Sequence, residues 1–310
     1  MLWIKLLLSA LFLAYLGWTL DLSGIVELLK TADWQLVLLA CFCLIFGQVL
    51  SAVRWAWLAR GLGLTVVVAK KIQIYFLGMF LSLFLPSIIG GDVARGWLLA
   101  RGKDNAGWPA AASVILERIN GVVGLGLLVS FCMFFLDIPL LWMLLWNGGV
   151  LFLFVILLTA PWWWPRLAAS GWSGKLSGWK ALQLTSPEFQ SAWWKSLPVS
   201  LLFQMLVVQA HVLLGMAVGM ELSWFAYGFM VCLVALASAI PISFNGFGIR
   251  EAGYVSLATW FGASAEAAGA MAALWVLVLL VAAIPGVIVL WKMGGTKVLQ
   301  RVETGGSDGI

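Results

Sequence analysis

Charge is what this chain has least of. Asp, Glu, Lys and Arg make up 10% of its 310 residues, against about a quarter in soluble domains. That scarcity argues against a soluble catalytic or nucleic-acid-binding domain, because such a surface must be charged to stay in water. Histidine occurs once and cysteine four times. Cys41, Cys43, Cys132 and Cys232 lie inside apolar runs, at spacings that match no metal site, and read as small hydrophobes. Enzyme signatures such as HExxH and GxSxG are missing, as are a helical aspartate pair and a Cys/His cluster. The expectation is a protein that is not an enzyme and needs no cofactor or metal.

What is present is hydrocarbon, at 63% of the residues. Apolar segments cover about 2–20, 34–53, 72–89, 109–136, 138–160, 198–219, 222–244 and 266–291. Each is long enough to cross about 30 Å of bilayer. Shorter apolar pieces, about 92–101 and 247–262, follow the third and seventh. The chain reads as an all-helical, multi-pass membrane protein, with one domain over 1–295 and a short polar tail, 296–310, expected to be disordered. The first segment lacks a small-x-small cleavage site, so it reads as a retained helix. The net charge of +5 then reports orientation and contact with headgroups rather than affinity for nucleic acid. Seven tryptophans fall in 161–197, interleaved with Arg166, Lys175, Lys180 and Lys195, a pattern that predicts a stretch lying on the headgroup layer.

Simple alternation of the eight long segments breaks the positive-inside rule over half of the chain. With the N-terminus inside, Arg54, Arg60, Lys70 and Lys71 fall inside, but Arg95, Arg101, Lys103 and the basic residues of 161–197 fall outside. The rule is restored if 72–101 is a hairpin that dips in and returns, and if 222–262 is a second hairpin entering from the other face. Both termini are then cytoplasmic. The two breaks also align from their prolines: "PSIIGGDVAR" beginning at Pro86 matches "PISFNGFGIR" beginning at Pro241, with Gly91 opposite Gly246 and Arg95 opposite Arg250. Gly/Pro-interrupted segments in corresponding halves mark transporter binding sites. Irregular backbone at membrane depth must be buried in protein or line a wet cavity, so both breaks are expected inside the bundle and near each other. The expected architecture is about six spanning helices plus two opposed re-entrant hairpins.

Charges inside the apolar segments are costly and mark the candidate site. Glu117 and Arg118 fall two turns into the fourth segment. Ser113, Glu117, Asn120, Gly121 and Gly124 share one face of that helix, with Arg118 about 100° away. Three readings stand open for Glu117: a buried ion pair with Arg95 or Arg250 that locks helices, contact with a substrate or coupling ion, or a place near the interface where neither it nor Arg118 matters much. An arginine beside a freshly started half-helix, as expected for Arg95 and Arg250, makes an anion site. Asp92, Glu117 and Glu251 then balance charge or take up coupling protons. Ser200, Gln204, His211 and Gly215 line one stripe of the sixth long segment. His211 is either a satisfied structural group or a proton carrier. Gln48 reads as internal packing and Arg54 as an end charge that snorkels to the interface.

"LPSIIGGDVARGWLLAR", "ERINGVVGL" and "PISFNGFGIREAGY" together resemble the lysylphosphatidylglycerol synthase transmembrane family, over roughly residues 1–295. The resemblance implies a bacterial inner-membrane protein related to the lipid-flipping half of the multiple peptide resistance factor. The sequence ends where that protein's soluble aminoacylating domain would begin, so lysyl transfer is not carried over. The motif positions carried over are Pro86, Gly90, Gly91, Asp92 and Arg95, then Glu117 and Arg118, then Asn245, Gly246, Gly248, Arg250 and Glu251. Pro86, Pro241 and Gly248 are expected to shape the breaks. Gly90, Gly91, Asn245 and Gly246 are expected to let backbone approach a headgroup held by Arg95, Arg118 and Arg250. The expected function is movement of an amphipathic, anionic lipid of phospholipid or polyprenyl-phosphate type between leaflets. The first alternative is a non-transporting partner that presents lipid to a lipid-modifying enzyme or glycosyltransferase. The second is an intramembrane transferase using Glu117 or Asp92 as base. Membrane lipids are the expected partners, nucleic acid is not, and an oligomer is compatible with the sequence.

Overall fold

The computed structural model describes residues 20–65, 67–84, 88–101, 106–169, 184–240 and 246–293. Among them the regular structure is entirely helical. In chain order the helices are α1 (Leu22–Thr31), α2 (Trp34–Gly61), α3 (Val68–Phe84), α4 (Ile88–Ala100), α5 (Gly107–Met133), α6 (Leu140–Ala169), α7 (Pro187–Ala217), α8 (Trp224–Ala239), α9 (Ile249–Trp260) and α10 (Ala265–Lys292). Residues 2–19 of the first expected helix, Pro86, Pro241, Asn245 and the tail 296–310 lie outside the described residues.

Side-chain caps start the long helices where the hydropathy turns. Asp33 accepts from the Gln35 amide (2.9 Å) at the head of α2, Ser223 from Ala226 (3.1 Å) at α8, and Ser264 from Ala267 (3.1 Å) at α10. Each satisfies a first-turn amide that has no partner within its helix. α2, α5, α6 over Leu140–Ala160, α7 and α10 are each long and apolar enough to cross a membrane. These are five of the six spans expected from sequence.

The two interrupted segments fold as two pairs of shorter helices. α3 and α4 have 17 and 13 residues, α8 and α9 have 16 and 12. At 1.5 Å per residue they rise about 18 to 26 Å, less than the bilayer's hydrocarbon thickness of about 30 Å. A Cβ on Gly78 would run into Arg95, and one on Gly91 into Ser82 and the Gly78 carbonyl. Residue numbers that fall on one helix as they rise on the other define an antiparallel pair. Gly253 against Val234, Gly246 against Ser238, and Phe229 against Trp260 and Phe261 do the same for α8 and α9.

The pairs open at opposite ends of the bundle. α2 and α7 make the most extensive helix–helix contact and run antiparallel. The Asp33 amide donates to the Ala217 carbonyl (3.0 Å) at one end, and Gly61 packs under Phe189 at the other. The α3–α4 hairpin leaves from the C-terminal end of α2, and the α8–α9 hairpin from the C-terminal end of α7. Following the chain, Arg60, Lys70, Arg101, Arg166, Lys195 and Lys292 all fall at the Gly61 end and are exposed. Asp21, Glu27, Asp33, Asp137, Glu221 and Glu266 fall at the Asp33 end, with Lys30 as the basic exception there and Glu188 as the acidic exception at the Gly61 end. The bundle therefore has a basic end and an acidic end.

The Trp-rich stretch 161–197, expected on the headgroup layer, is helical where it is described: its first part continues α6 to Ala169, beyond the Leu140–Ala160 span, and its last part begins α7 at Pro187, capped by Ser186 accepting from the Phe189 amide (3.2 Å). Residues 170–183 between them lie outside the described residues. A helix whose backbone bonds are internal need not stop where hydropathy falls. Arg54, Lys71 and Arg95, counted earlier as orientation charges, are buried. Lys71 Nζ donates to the Ala56 and Leu64 carbonyls (3.1 and 3.3 Å), where α2 ends. Charges used up inside the protein carry no information about the membrane side.

Candidate functional site

α5 presents the face the sequence indicated. Ser113 and Asn120 are fully buried, Glu117 is 2% exposed, and Gly124 lets Ser200 of α7 pack directly on the helix. Small residues of this kind let membrane helices approach closely, which is what holds them together when lipid is as apolar as the side chains.

Glu117 is the hub. One carboxylate oxygen accepts from Arg54 Nη2 of α2, and the other accepts from Arg95 Nη2 of α4 at 2.8 Å. Ser51 Oγ donates to Glu117 (3.3 Å) and accepts from Arg54 Nη2 (2.9 Å) and from the Tyr75 hydroxyl (2.9 Å). Arg54 Nη1 also donates to Ser200 Oγ (2.6 Å), whose hydroxyl donates to Asn120 Oδ1. The carboxylate thus ties α2, α3, α4, α5 and α7 into one polar network. Arg95 lies over the Trp55 and Tyr75 rings, at 4.4 and 4.2 Å from their centroids. That geometry gives a desolvated guanidinium cation–π contact on top of its ion pair. Gly78 clears the path of the Arg95 side chain.

The network then runs outward. Arg95 Nη1 donates to Asp92 Oδ1 (3.3 Å), and Asp92 accepts a bidentate pair from Arg118, Nε to Oδ2 at 2.9 Å and Nη2 to Oδ1 at 3.0 Å. Side-chain exposure rises along the series, from 3–4% at Arg54, Glu117 and Arg95 to 16% at Asp92 and 57% at Arg118. Signs alternate from inside to outside. Three arginines face two carboxylates, so the network keeps one positive charge.

Arg250 belongs to a second cluster. It is the second residue of α9, beside the tip made by Gly246 (φ 78°) and Gly248 (φ 84°). These left-handed backbone angles suit glycine, because a Cβ there meets the following carbonyl. Glu251 accepts from the Gly248 amide (2.6 Å) and so caps α9, and its other oxygen lies 3.5 Å from Arg250 Nε. Arg250 stacks on Phe247 (5.1 Å), and its Nε and Nη2 have no hydrogen-bond partner among the described residues. His211 of α7 is fully buried. Its Nδ1 donates to the Val207 carbonyl (2.8 Å), since a carbonyl only accepts, and Nε2 lies 2.9 Å from the Tyr254 hydroxyl. Trp275 lies on the ring, at 4.0 Å between centroids. Both ring nitrogens are engaged within the protein.

Measured against the expectations, Asp92, Arg95, Glu117 and Arg118 come together, and Arg250 and Glu251 do not join them. No hydrogen bond or ion pair among the described residues links the two clusters, and residues 85–87 and 241–245 of the breaks lie outside the described residues. The partner expected for Glu117 as Arg95 or Arg250 is Arg95 together with Arg54. Arg54 is 3% exposed and is not a snorkelling end charge. The proline alignment also misleads at the arginines. Arg95 is the eighth residue of α4, two turns in, while Arg250 sits in the first turn of α9. Only Arg250 has the expected half-helix setting. Gly91 is buried, and the space beside it is taken by Ser82 and Gly78 of α3; Gly90 lies in the first turn of α4.

Residues 2–286 match the family described as the lysylphosphatidylglycerol synthase transmembrane region. The chain belongs to this family. The match spans both hairpins and every residue of both clusters. The chain is also similar to the UPF0104 membrane protein PH1989 of Pyrococcus horikoshii, 24% identical over 123 residues. That stretch is 39% of this chain and 37% of that protein, so the chain matches little more than a third of that relative's length.

Proposed function

We propose that this family member moves an amphipathic lipid with an anionic headgroup, of phospholipid or polyprenyl-phosphate type, between the leaflets of a bacterial inner membrane. The observation that carries the proposal is the Arg54–Glu117–Arg95–Asp92–Arg118 network. It is buried at one end, open at the other, and keeps one positive charge. Charged side chains inside membrane helices are costly and mark pathways for polar groups, and a surplus arginine selects for an anion. The opposed hairpins support the same reading, since short broken helices in corresponding halves build transporter sites. In this proposal the basic end is cytoplasmic by the positive-inside rule, both hairpins are re-entrant, and the lipid's chains stay in the bilayer while the headgroup crosses.

A static lock is the competing role for the network, and the full pairing of Glu117 favours it. A lipid-presenting partner of a glycosyltransferase or lipid-modifying enzyme is the other alternative: it would bind the same lipids without moving them. Reconstitution in liposomes with trappable anionic, polyprenyl-phosphate and neutral lipids separates the three. Transport gives faster crossing of at least one anionic lipid than protein-free vesicles. Presentation gives binding without crossing, and a lock gives neither.

A further inference from the structure

Arg118 is the twelfth residue of α5, about 17 Å along a helix of about 40 Å. An arginine so far inside a spanning helix is expected to turn inward or pair away from lipid. Here the side chain is 57% exposed and its bidentate partner Asp92 is 16% exposed. The exposed neighbours on the same stripe of α5 are apolar: Ile115, one turn before, is 46% exposed, and Val122, one turn after, is 39%. On α4, Val93, the neighbour of Asp92, is 54% exposed. The outer wall between α4 and α5 is thus an ion pair set in a greasy frame, at membrane depth.

We infer that this face where α4 meets α5 is the lateral entry site for an anionic amphipathic lipid, whose headgroup takes the place of the Asp92 carboxylate on Arg118. The inference rests on the proposed lipid-moving function and names where the lipid is first bound. Arg118's fork fits a phosphate or carboxylate as well as it fits Asp92, and Ile115, Val122 and Val93 supply contacts for the chains. Asp92 acts as a resident competitor that keeps Arg118 paired when the face is empty. Displacement also has an inward consequence. Asp92 released from Arg118 retains Arg95, and Arg95 is the residue that joins α4 to Glu117. Binding at the surface is in this way connected to the contact that holds the first hairpin against α5.

The two partners should therefore respond with opposite signs, which no purely structural ion pair does. The test measures binding of pyrene-labelled phosphatidylglycerol and phosphatidylcholine to the detergent-purified full chain, by energy transfer from its tryptophans. Asp92→Asn removes the competitor and should tighten phosphatidylglycerol binding about fivefold, equivalent to ~1 kcal/mol for a part-exposed ion pair. Arg118→Gln should weaken it by a similar factor, Arg118→Lys should recover most of the loss, and phosphatidylcholine should not respond to any of them. Arg118 is exposed, so its two variants keep the fold and decide the matter even if Asp92→Asn is poorly folded. The entry site is overturned if Arg118→Gln leaves the preference for phosphatidylglycerol unchanged. It is equally overturned if folded Asp92→Asn and Arg118→Gln shift binding in the same direction. Failure of transport in liposomes alongside the opposite-sign pattern would remove the lipid-moving function and leave a lipid-binding face. Transport with no response at Arg118 would do the reverse.

Discussion

Arg54 and Arg95 hold the two oxygens of one carboxylate, Glu117, from two different helices. Arg54 belongs to the α2–α5–α7 bundle, where Ser200 and Ser51 also anchor it. Arg95 belongs to the α3–α4 hairpin. Glu117 is therefore the charged contact that fastens the hairpin to α2 and α5, beside the packing of α3 on α10 around Gly286.

Glu117→Gln would leave buried Arg54 without its counter-charge and buried Arg95 with only Asp92. Breaking a buried pair from one side costs about 3–5 kcal/mol, so the thermal melting point in detergent should fall steeply. Arg54→Met with Glu117→Leu removes both charges at that contact and should melt higher than Glu117→Gln. A double variant that melts lower than the single one would contradict this account of the hub.

Gly91→Ala should force α3 and α4 apart, because the added methyl overlaps Ser82 and the Gly78 carbonyl. Overpacking of this kind costs about 1–3 kcal/mol. Gly148→Ala on α6 is the matched control, since nothing lies within 4 Å of a Cβ there. The melting point should drop for the first and hold for the second. Equal behaviour would mean the hairpin is not packed on these glycines.

At the second tip, Gly248→Ala imposes a Cβ on a residue at φ 84°, a strain of about 1–2 kcal/mol. Glu251→Gln weakens the bond that caps α9 through the Gly248 amide. Both should raise amide hydrogen exchange over residues 249–253 and leave α4 unaffected. Matching protection in the variants and the natural protein would remove the tip from its capping role.

The opposed hairpins make a topological prediction. The four native cysteines are buried, so single cysteines at Lys70, Arg101 and Glu221 can be labelled selectively with an impermeant maleimide. Lys70→Cys and Arg101→Cys should label from the same side, and Glu221→Cys from the other. Labelling of positions 70 and 101 from opposite sides would contradict the first hairpin.

Much of this architecture was legible as hydropathy. The five long helices coincide with apolar segments, and both broken pairs coincide with the segments that carried a proline and glycines. The buried face of α5 was legible too, because Ser113, Glu117, Asn120 and Gly124 recur at helical spacing and a helix surface is fixed by that spacing alone. Arg54 was missed for a physical reason. A hydropathy segment ends at its first charge, whereas a helix ends where its backbone bonds end, and α2 continues to Gly61. The signal that would have found it was present: Ser51, Arg54, Trp55 and Leu58 fall at helical spacing on one face, and all four are buried. The inequivalence of Arg95 and Arg250 was not legible, because counting from a proline assumes that both following helices start at the same offset. α4 begins two residues after Pro86, and α9 begins eight after Pro241. Which arginine pairs with Glu117 is a property of the packing, which no spacing within a segment records.

The central claim is that the network serves lipid movement, and its most direct test is a rate. Fluorescent phosphatidylglycerol is placed in both leaflets of proteoliposomes, and an impermeant quencher is added outside. The account predicts that natural protein exposes the inner-leaflet lipid to quencher faster than protein-free vesicles do. It predicts that folded Arg95→Gln slows that phase about tenfold, the effect of ~1.4 kcal/mol. An inner-leaflet pool that stays as protected as in empty vesicles, across anionic and polyprenyl-phosphate lipids, would contradict it.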